Sequence, residues 1–104
     1  MRPYDSLRRK AEFGALTRRG RRRGGRHLTV FALPSRGRRP RAGVTVGKAV
    51  GTAVVRNRVR RRVKSILERL LAGAPVDVVV VARPGAGEAT FAALQAELGA
   101  ALGR

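Results

Sequence analysis

Ala53-Val-Val-Arg56-Asn57-Arg58-Val59-Arg60-Arg61-Arg62-Val63-Lys64-Ser65-Ile66-Leu67-Glu68-Arg69-Leu70-Leu71 is the stretch that decides how the rest of the chain is read. At about 100° per residue, Val55, Val59, Val63, Ile66, Leu67 and Leu70 gather into one stripe, the mark of an amphipathic helix. Arg58, Arg61, Arg62 and Arg69 lie well away from that stripe, Arg60 and Lys64 sit on its shoulder, and Arg56 lies at its edge near the helix start. Six basic residues fall within the nine positions from Arg56 to Lys64, with Glu68 the one acidic residue on the helix. Like charges three and four residues apart repel, so packing of the stripe and an external anion must offset a local cost. A polyanion is the simplest candidate.

The whole chain carries the same signal. Its 104 residues, 43% of them apolar, suffice for one domain with a modest core, and the net charge is +18. The charge is uneven: 21 of the 24 basic residues fall at or before Lys64, so the first two thirds supply the electrostatic surface and the last third reads as scaffold. Such a field favours nucleic acid or an anionic membrane as partner. The absence of cysteine excludes disulfides and thiolate metal sites, and His27 is the only imidazole. The six carboxylates Asp5, Glu12, Glu68, Asp77, Glu88 and Glu97 include no close pair that could divide acid and base roles or hold two metal ions. No catalytic residue is therefore expected on this chain. No apolar run reaches about 18 residues and no secretion signal is visible, so a cytoplasmic location without membrane association is expected.

Outward from the basic helix, residues 1–9 read as a mobile basic lead-in, with Asp5 and Ser6 as candidate helix caps. A short helix is expected over 10–19, with Ala11, Ala15 and Leu16 inward, Phe13 on it and Gly20 as its stop. Residues 21–26 read as a charged connection. A strand over 27–33 places Leu28, Val30 and Ala32 on one face and Thr29, Phe31 and Leu33 on the other. A basic loop over 34–41 then joins it to an antiparallel partner over 42–48, with Val44 and Val46 on one face and Gly43, Thr45 and Gly47 opposite. Phe31 on that low, polar face suits either a stacking platform for a single-stranded base or the underside of a second packed layer. The basic helix runs to about Ala72, where Gly73 and Pro75 end it. Val78 to Val81, without alternation, read as a central strand buried on both faces and parallel to the strand before the helix. After a loop over 84–87, a helix from Thr90 carries Phe91, Leu94, Leu98 and Leu102 on one side. The expected fold is α+β, a two-layer sandwich of a short mixed sheet and three helices in the order α-β-β-α-β-α, an extra short strand being admissible, in a single domain over 1–104. Gly47-Lys48 and Gly51 lack the spacing of a phosphate loop.

The run Lys48-Ala-Val-Gly51-Thr-Ala53-Val-Val-Arg56-Asn57-Arg58-Val59-Arg60-Arg61-Arg62-Val63-Lys64 closely resembles the signature of the protein subunit of bacterial ribonuclease P. That family carries a lysine, a glycine and an alanine, then Arg-Asn-x-hydrophobic-basic-Arg-x-hydrophobic-basic. Phe13 followed by Gly20, Leu33-Pro34, the strand ending at Lys48 and Ala82-Arg83 also fall in the family's order. The resemblance implies an accessory protein for a catalytic RNA that removes the 5′ leader of precursor tRNA. Magnesium, held mainly by the RNA subunit, would support cleavage, and no further protein partner would be required. It also implies a left-handed crossover between two parallel strands. Lys48, Arg56, Asn57, Arg58, Arg60, Arg61, Arg62 and Lys64 would contact the RNA subunit. Phe13, Thr17, Thr29 and Phe31 would line a cleft for the leader, with Thr17 standing where the family often has a second aromatic. A small ribosomal protein, a protein nuclease acting alone and a nucleoid protein share the charge and size. A ribosomal protein requires neither this spaced signature nor a leader-sized groove, a lone nuclease would cleave without RNA, and a nucleoid protein would prefer duplex DNA to structured RNA.

Overall fold

The uninterrupted valines at 78–81 run through the middle of a five-stranded mixed sheet in a computed structural model that describes residues 3–35 and 39–103. In chain order the elements are β1 (Asp5–Ser6), α1 (Lys10–Arg19), β2 (Arg21–Gly24), β3 (Leu28–Pro34), β4 (Arg41–Thr45), a 3₁₀ turn (Lys48–Val50), α2 (Ala53–Leu70), β5 (Val76–Ala82), a second 3₁₀ segment (Pro84–Glu88) and α3 (Phe91–Leu102). The spatial order is β1-β4-β5-β3-β2. β5 lies parallel to β4, as expected for strands joined through a helix, and antiparallel to β3. Val78, Val79 and Val80 are each fully buried because both faces of β5 are covered.

The two coverings differ. Val78 and Val80 join Leu28 and Val30 of β3 in the main core, beneath Val59, Val63, Ile66 and Leu67 of α2 and Leu94 and Leu98 of α3. Each such side chain, fully buried, contributes about 1.5–3 kcal/mol. Val79 faces the other way, into a smaller cluster with Leu7 and with Leu16 of α1, edged by Phe13, Phe31, Leu33 and Val81. The two faces expected for β3 are therefore the two faces found. Helix ends follow local chemistry: the Thr52 hydroxyl accepts from the Val55 N–H at 3.4 Å and the Thr90 hydroxyl from the Ala93 N–H at 3.1 Å. Gly73, with φ of +73°, takes the left-handed turn just beyond α2.

Five expectations are corrected. β3 and β4 are not partners: β5, apolar on both faces, lies between them and takes both edges, so the loop joins strands that flank β5. Residues 36–38 of that loop lie outside the described residues. The arginines read as a connection over 21–26 include β2, antiparallel to β3 and exposed at every residue, so no apolar alternation could mark it. Asp5 and Ser6 are not caps but pair with Arg41 and Ala42 of β4, while the Arg9 N–H at the start of α1 donates to Glu12 Oε1 at 3.4 Å. Nor is the lead-in free of the fold, since Tyr4 and Leu7 are buried; Met1 and Arg2 lie outside the described residues. α1 turns only Leu16 fully inward, leaving Ala15 half-buried and Ala11 exposed, because the helix covers only part of its face of the sheet.

Candidate nucleic-acid interface

The apolar stripe of α2 fixes the direction of everything else on that helix. Val59, Val63, Ile66 and Leu67 anchor it to the sheet, so Asn57 and Arg61 stand exposed on the outer side. Arg60 sits at the shoulder and donates from Nη1 to Asn57 Oδ1 at 2.9 Å, an i, i+3 contact that orients its guanidinium along the helix surface. Lys64 is half-buried one turn further on, and Lys48 is exposed on the 3₁₀ turn that leads into the helix. Val54, at 73% exposure, stands among these polar groups at the first turn of α2.

Three of the basic residues expected to face outward have other company. Arg58 Nη2 donates to the Gly87 carbonyl at 3.3 Å, and Arg62 Nη1 to the Ala89 carbonyl at 3.1 Å. Four residues apart on one flank of α2, they brace the segment that links β5 to α3. Each retains N–H groups for a second acceptor, since a guanidinium carries five. Arg56 is half-buried, and its Nε is enclosed without an acceptor among the described residues. Of the candidates, Lys48, Asn57 and Arg61 are exposed, and Arg60 and Lys64 are half-buried without a main-chain acceptor among the described residues. The apolar stripe revealed the helix and with it the set of basic residues, but these main-chain acceptors left no trace in the sequence.

On the opposite face, α1 packs on the sheet through Leu16 and Phe13. The Phe13 ring lies against Gly43 of β4, where any Cβ would overlap it. That glycine lets an aromatic ring reach the sheet surface. Gly43, Val79 and Phe31 are directly paired across β4, β5 and β3, and Thr45, Val81 and Thr29 form the next row. Phe13 and Phe31 are both half-buried and share one cluster. Thr29 is buried on the same face, one pair along. Thr17 is exposed, and its hydroxyl donates to the Gly14 carbonyl at 3.0 Å. Phe13, Thr29 and Phe31 thus lie on the α1 face of the sheet, in or beside rows that also hold Val81 and the exposed Thr45, while Thr17 is exposed on α1 and bonded only within its own helix.

Two charged ties hold the edges of this frame. Arg41 bridges Glu12 of α1, Nη1 to Oε2 at 2.6 Å, and the buried Asp77 of β5, Nη2 to Oδ2 at 3.0 Å. The Asp77 hydrogen bond, with the two nearby carboxylates, raises the Arg41 pKa above its ordinary value against the opposing effect of burial. On the other face, Glu97 of α3 accepts from the His27 and Leu28 backbone N–H groups at 2.9 and 3.1 Å, and its second oxygen lies 2.5 Å from His27 Nδ1. Burial opposes ionisation of Glu97, but these partners outweigh it and hold the carboxyl below its usual range.

The chain matches the family model described as ribonuclease P over residues 1–104. It is 48% identical over 102 residues to the ribonuclease P protein component of Acidothermus cellulolyticus, covering 94% of this chain and 85% of that protein. With the ribonuclease P protein component of Streptomyces bikiniensis it shares 47% over 110 residues, covering 94% and 89%. Among solved structures, the Staphylococcus aureus RNase P protein superimposes with a TM-score of 0.83 at 24% identity, over 94% of this chain and 92% of that one. The RNase P protein of Thermotoga maritima gives 0.79 at 24% identity, over 94% of each. At that identity the structures speak to the fold, an α+β sandwich built on a mixed sheet.

Proposed function

The chain belongs to the ribonuclease P protein family, whose members are the accessory subunit of a tRNA-processing endoribonuclease, and from that premise we propose how its two surfaces serve the ribonucleoprotein. The outer surface of α2, with Lys48, Asn57, Arg60, Arg61 and Lys64, binds the RNA subunit through phosphates, and Arg56, Arg58 and Arg62 add contacts from the flanks. The cleft of Phe13, Thr17, Thr29 and Phe31 takes the single-stranded 5′ leader of precursor tRNA. What supports this reading is one sheet with a packed basic helix on one face and two half-buried aromatics, Phe13 and Phe31, on the other.

The chain's contribution to the reaction is charge and position. Basic side chains neutralise phosphates on two RNAs at once, reducing their mutual repulsion and releasing counterions. Stacking on Phe31 and Phe13 orders the leader, so the scissile bond is presented in one register. Magnesium belongs in this reading to the RNA subunit. The carboxylates best placed inside the fold are already committed, Glu12 and Asp77 to Arg41 and Glu97 to His27, and no group of three His, Cys, Asp or Glu converges among the described residues. Among those residues no helix is long and apolar enough to cross a membrane.

Reconstitution tests the reading. Mixed with the RNA subunit from the same source at low magnesium, the protein should restore leader removal, and protein alone should cleave nothing. With roughly six to ten phosphate contacts, affinity for RNA should fall about 10³- to 10⁵-fold between 50 and 200 mM salt. Failure to rescue, or a complex indifferent to salt, overturns the assignment.

A further inference from the structure

β2 is the least expected element of the sheet, and its arginines divide between the two faces. Arg22 lies directly opposite Phe31 in the antiparallel β2–β3 pair, so the two side chains project from the same face. Arg21 and Arg23, on either side of it, project from the other. The Arg22 guanidinium folds back along its own strand over Gly24: a Cβ at Gly24 would sit 3.7 to 4.0 Å from Nη1, Nη2 and Cζ. Gly24 in turn pairs with Thr29. The charged group therefore lies over the row that contains Thr29, beside Phe31, at the outer wall of the cleft.

That position is unusual for a surface arginine in two respects. Arg22 is exposed, yet no carboxylate or carbonyl of the described residues holds it. The acidic groups on this face, Asp5, Glu12 and Asp77, are engaged by Arg39 and Arg41 toward the opposite end of the strands. Two residues along the strand, Gly24 presents no side chain of its own on this face, and the guanidinium lies over it at ordinary contact distance. A planar donor fork thus sits beside an aromatic ring at the distance of neighbouring rows in one sheet. Phosphate and base of a single nucleotide unit require such a pair of partners.

We infer that Arg22 is the phosphate-gripping wall of the leader cleft, holding a backbone phosphate of the nucleotide whose base stacks on Phe31. The inference rests on the proposal that the cleft takes the leader. Arg22 is then the residue that converts a stacking surface, which any exposed base could visit, into a site with defined strand direction. Its grip is indifferent to leader sequence because phosphates are common to all nucleotides.

The test uses holoenzyme reconstituted with the RNA subunit, and precursor tRNA compared with mature tRNA. Arg22→Gln should weaken precursor binding about three- to tenfold, leave mature tRNA unchanged and lower the salt slope by about 0.7. Arg22→Lys should restore much of the salt slope but less of the affinity, since lysine lacks the planar fork. Leaders carrying a single neutral methylphosphonate, moved along the chain, should show one position at which Arg22→Gln adds no further loss. Equal weakening of precursor and mature tRNA, or no methylphosphonate position coupled to Arg22, overturns the inference. Phe31→Ala separates the two levels. If it loses precursor affinity selectively while Arg22→Gln is silent, the cleft stands and Arg22 is excluded; if neither variant is leader-selective, the cleft reading fails. Thermal melting should show Arg22→Gln folded like wild type, because β2 is exposed at every residue.

Discussion

α2 buries four of its eighteen residues, Val59, Val63, Ile66 and Leu67, whereas α1 on the opposite face of the same sheet buries one of its ten, Leu16. In the proposed reading the difference separates two ways of presenting a surface to RNA. A helix anchored along its whole length holds its outer side chains in fixed relation, which suits a large, structured partner met as a rigid body. α1, held at Leu16, by the Phe13 ring on Gly43 and by Glu12 on Arg41, buries less of itself, and in the proposed reading its face receives a single strand. Both solutions grow from the central valines, since β5 can support a helix on either face only because neither face is polar over residues 78–80.

Core truncation on the two helices puts this contrast at risk with the largest effect. Leu67→Ala, at a site with no exposure, should cost about 2–5 kcal/mol, and in a domain of this size each kcal/mol lowers Tm by about 4–8 °C. Leu16→Ala should stay near the lower end, about 2 kcal/mol, because α1 can undock locally without opening the main core. Denaturant melts measure the cost, and native-state hydrogen exchange distinguishes local from global opening. If Leu16→Ala costs as much as Leu67→Ala and exchange becomes global, α1 is as integral as α2 and the contrast collapses.

How much of this could be read beforehand varied with the kind of signal. α2 was legible because a 3.6-residue period places Val59, Val63, Ile66 and Leu67 together whatever surrounds them. β5 was legible because four consecutive valines suit no exposed setting. β2 was not, since three arginines and a glycine carry no periodicity and their strand character comes from pairing with β3. The pairing of β3 with β4 was misread because the short loop suggested a hairpin, while β5 offers both strands a longer apolar edge. Phe13 and Phe31 could be named from the sequence, but their meeting depends on Gly43, whose importance appears only when the Phe13 ring lies on it. Likewise the basic residues of α2 were legible as a set. Which of them are free was not, because the carbonyls of Gly87 and Ala89 lie 29 and 27 residues away from Arg58 and Arg62.

That last distinction gives a sharper and smaller test within α2 itself. Arg58→Gln should lower stability by about 0.5–1.5 kcal/mol through loss of its bond to Gly87, together with a modest loss of RNA-subunit affinity. Arg61→Gln, on the exposed outer side, should leave Tm within about 0.5 kcal/mol of wild type and lose affinity alone. Melting curves set beside binding isotherms for the RNA subunit read both quantities. Identical profiles for the two variants would show that the flank and the outer side of the helix do the same job.

The smallest effect concerns how the packed face is tied at its edge. Glu97 joins α3 to the start of β3 through His27 and Leu28, and its partners hold its carboxyl below the ordinary 4.5 despite the opposing influence of burial. A carboxylate whose folded pKa is depressed stabilises the protein above its ordinary pKa, and the contribution disappears as pH falls through the folded value. Tm should therefore drop on acidification from about pH 4.5 downward more steeply in wild type than in Glu97→Gln, with the two curves converging in strong acid. The variant should begin lower at neutral pH, since an amide satisfies the two backbone N–H donors less well than a carboxylate. Because the tie lies on the α2–α3 face, precursor-selective binding through the α1 cleft should be unchanged by the substitution. A Glu97→Gln protein that kept its neutral-pH Tm, or that lost leader selectivity, would place the two faces in closer mechanical contact than their separate cores indicate.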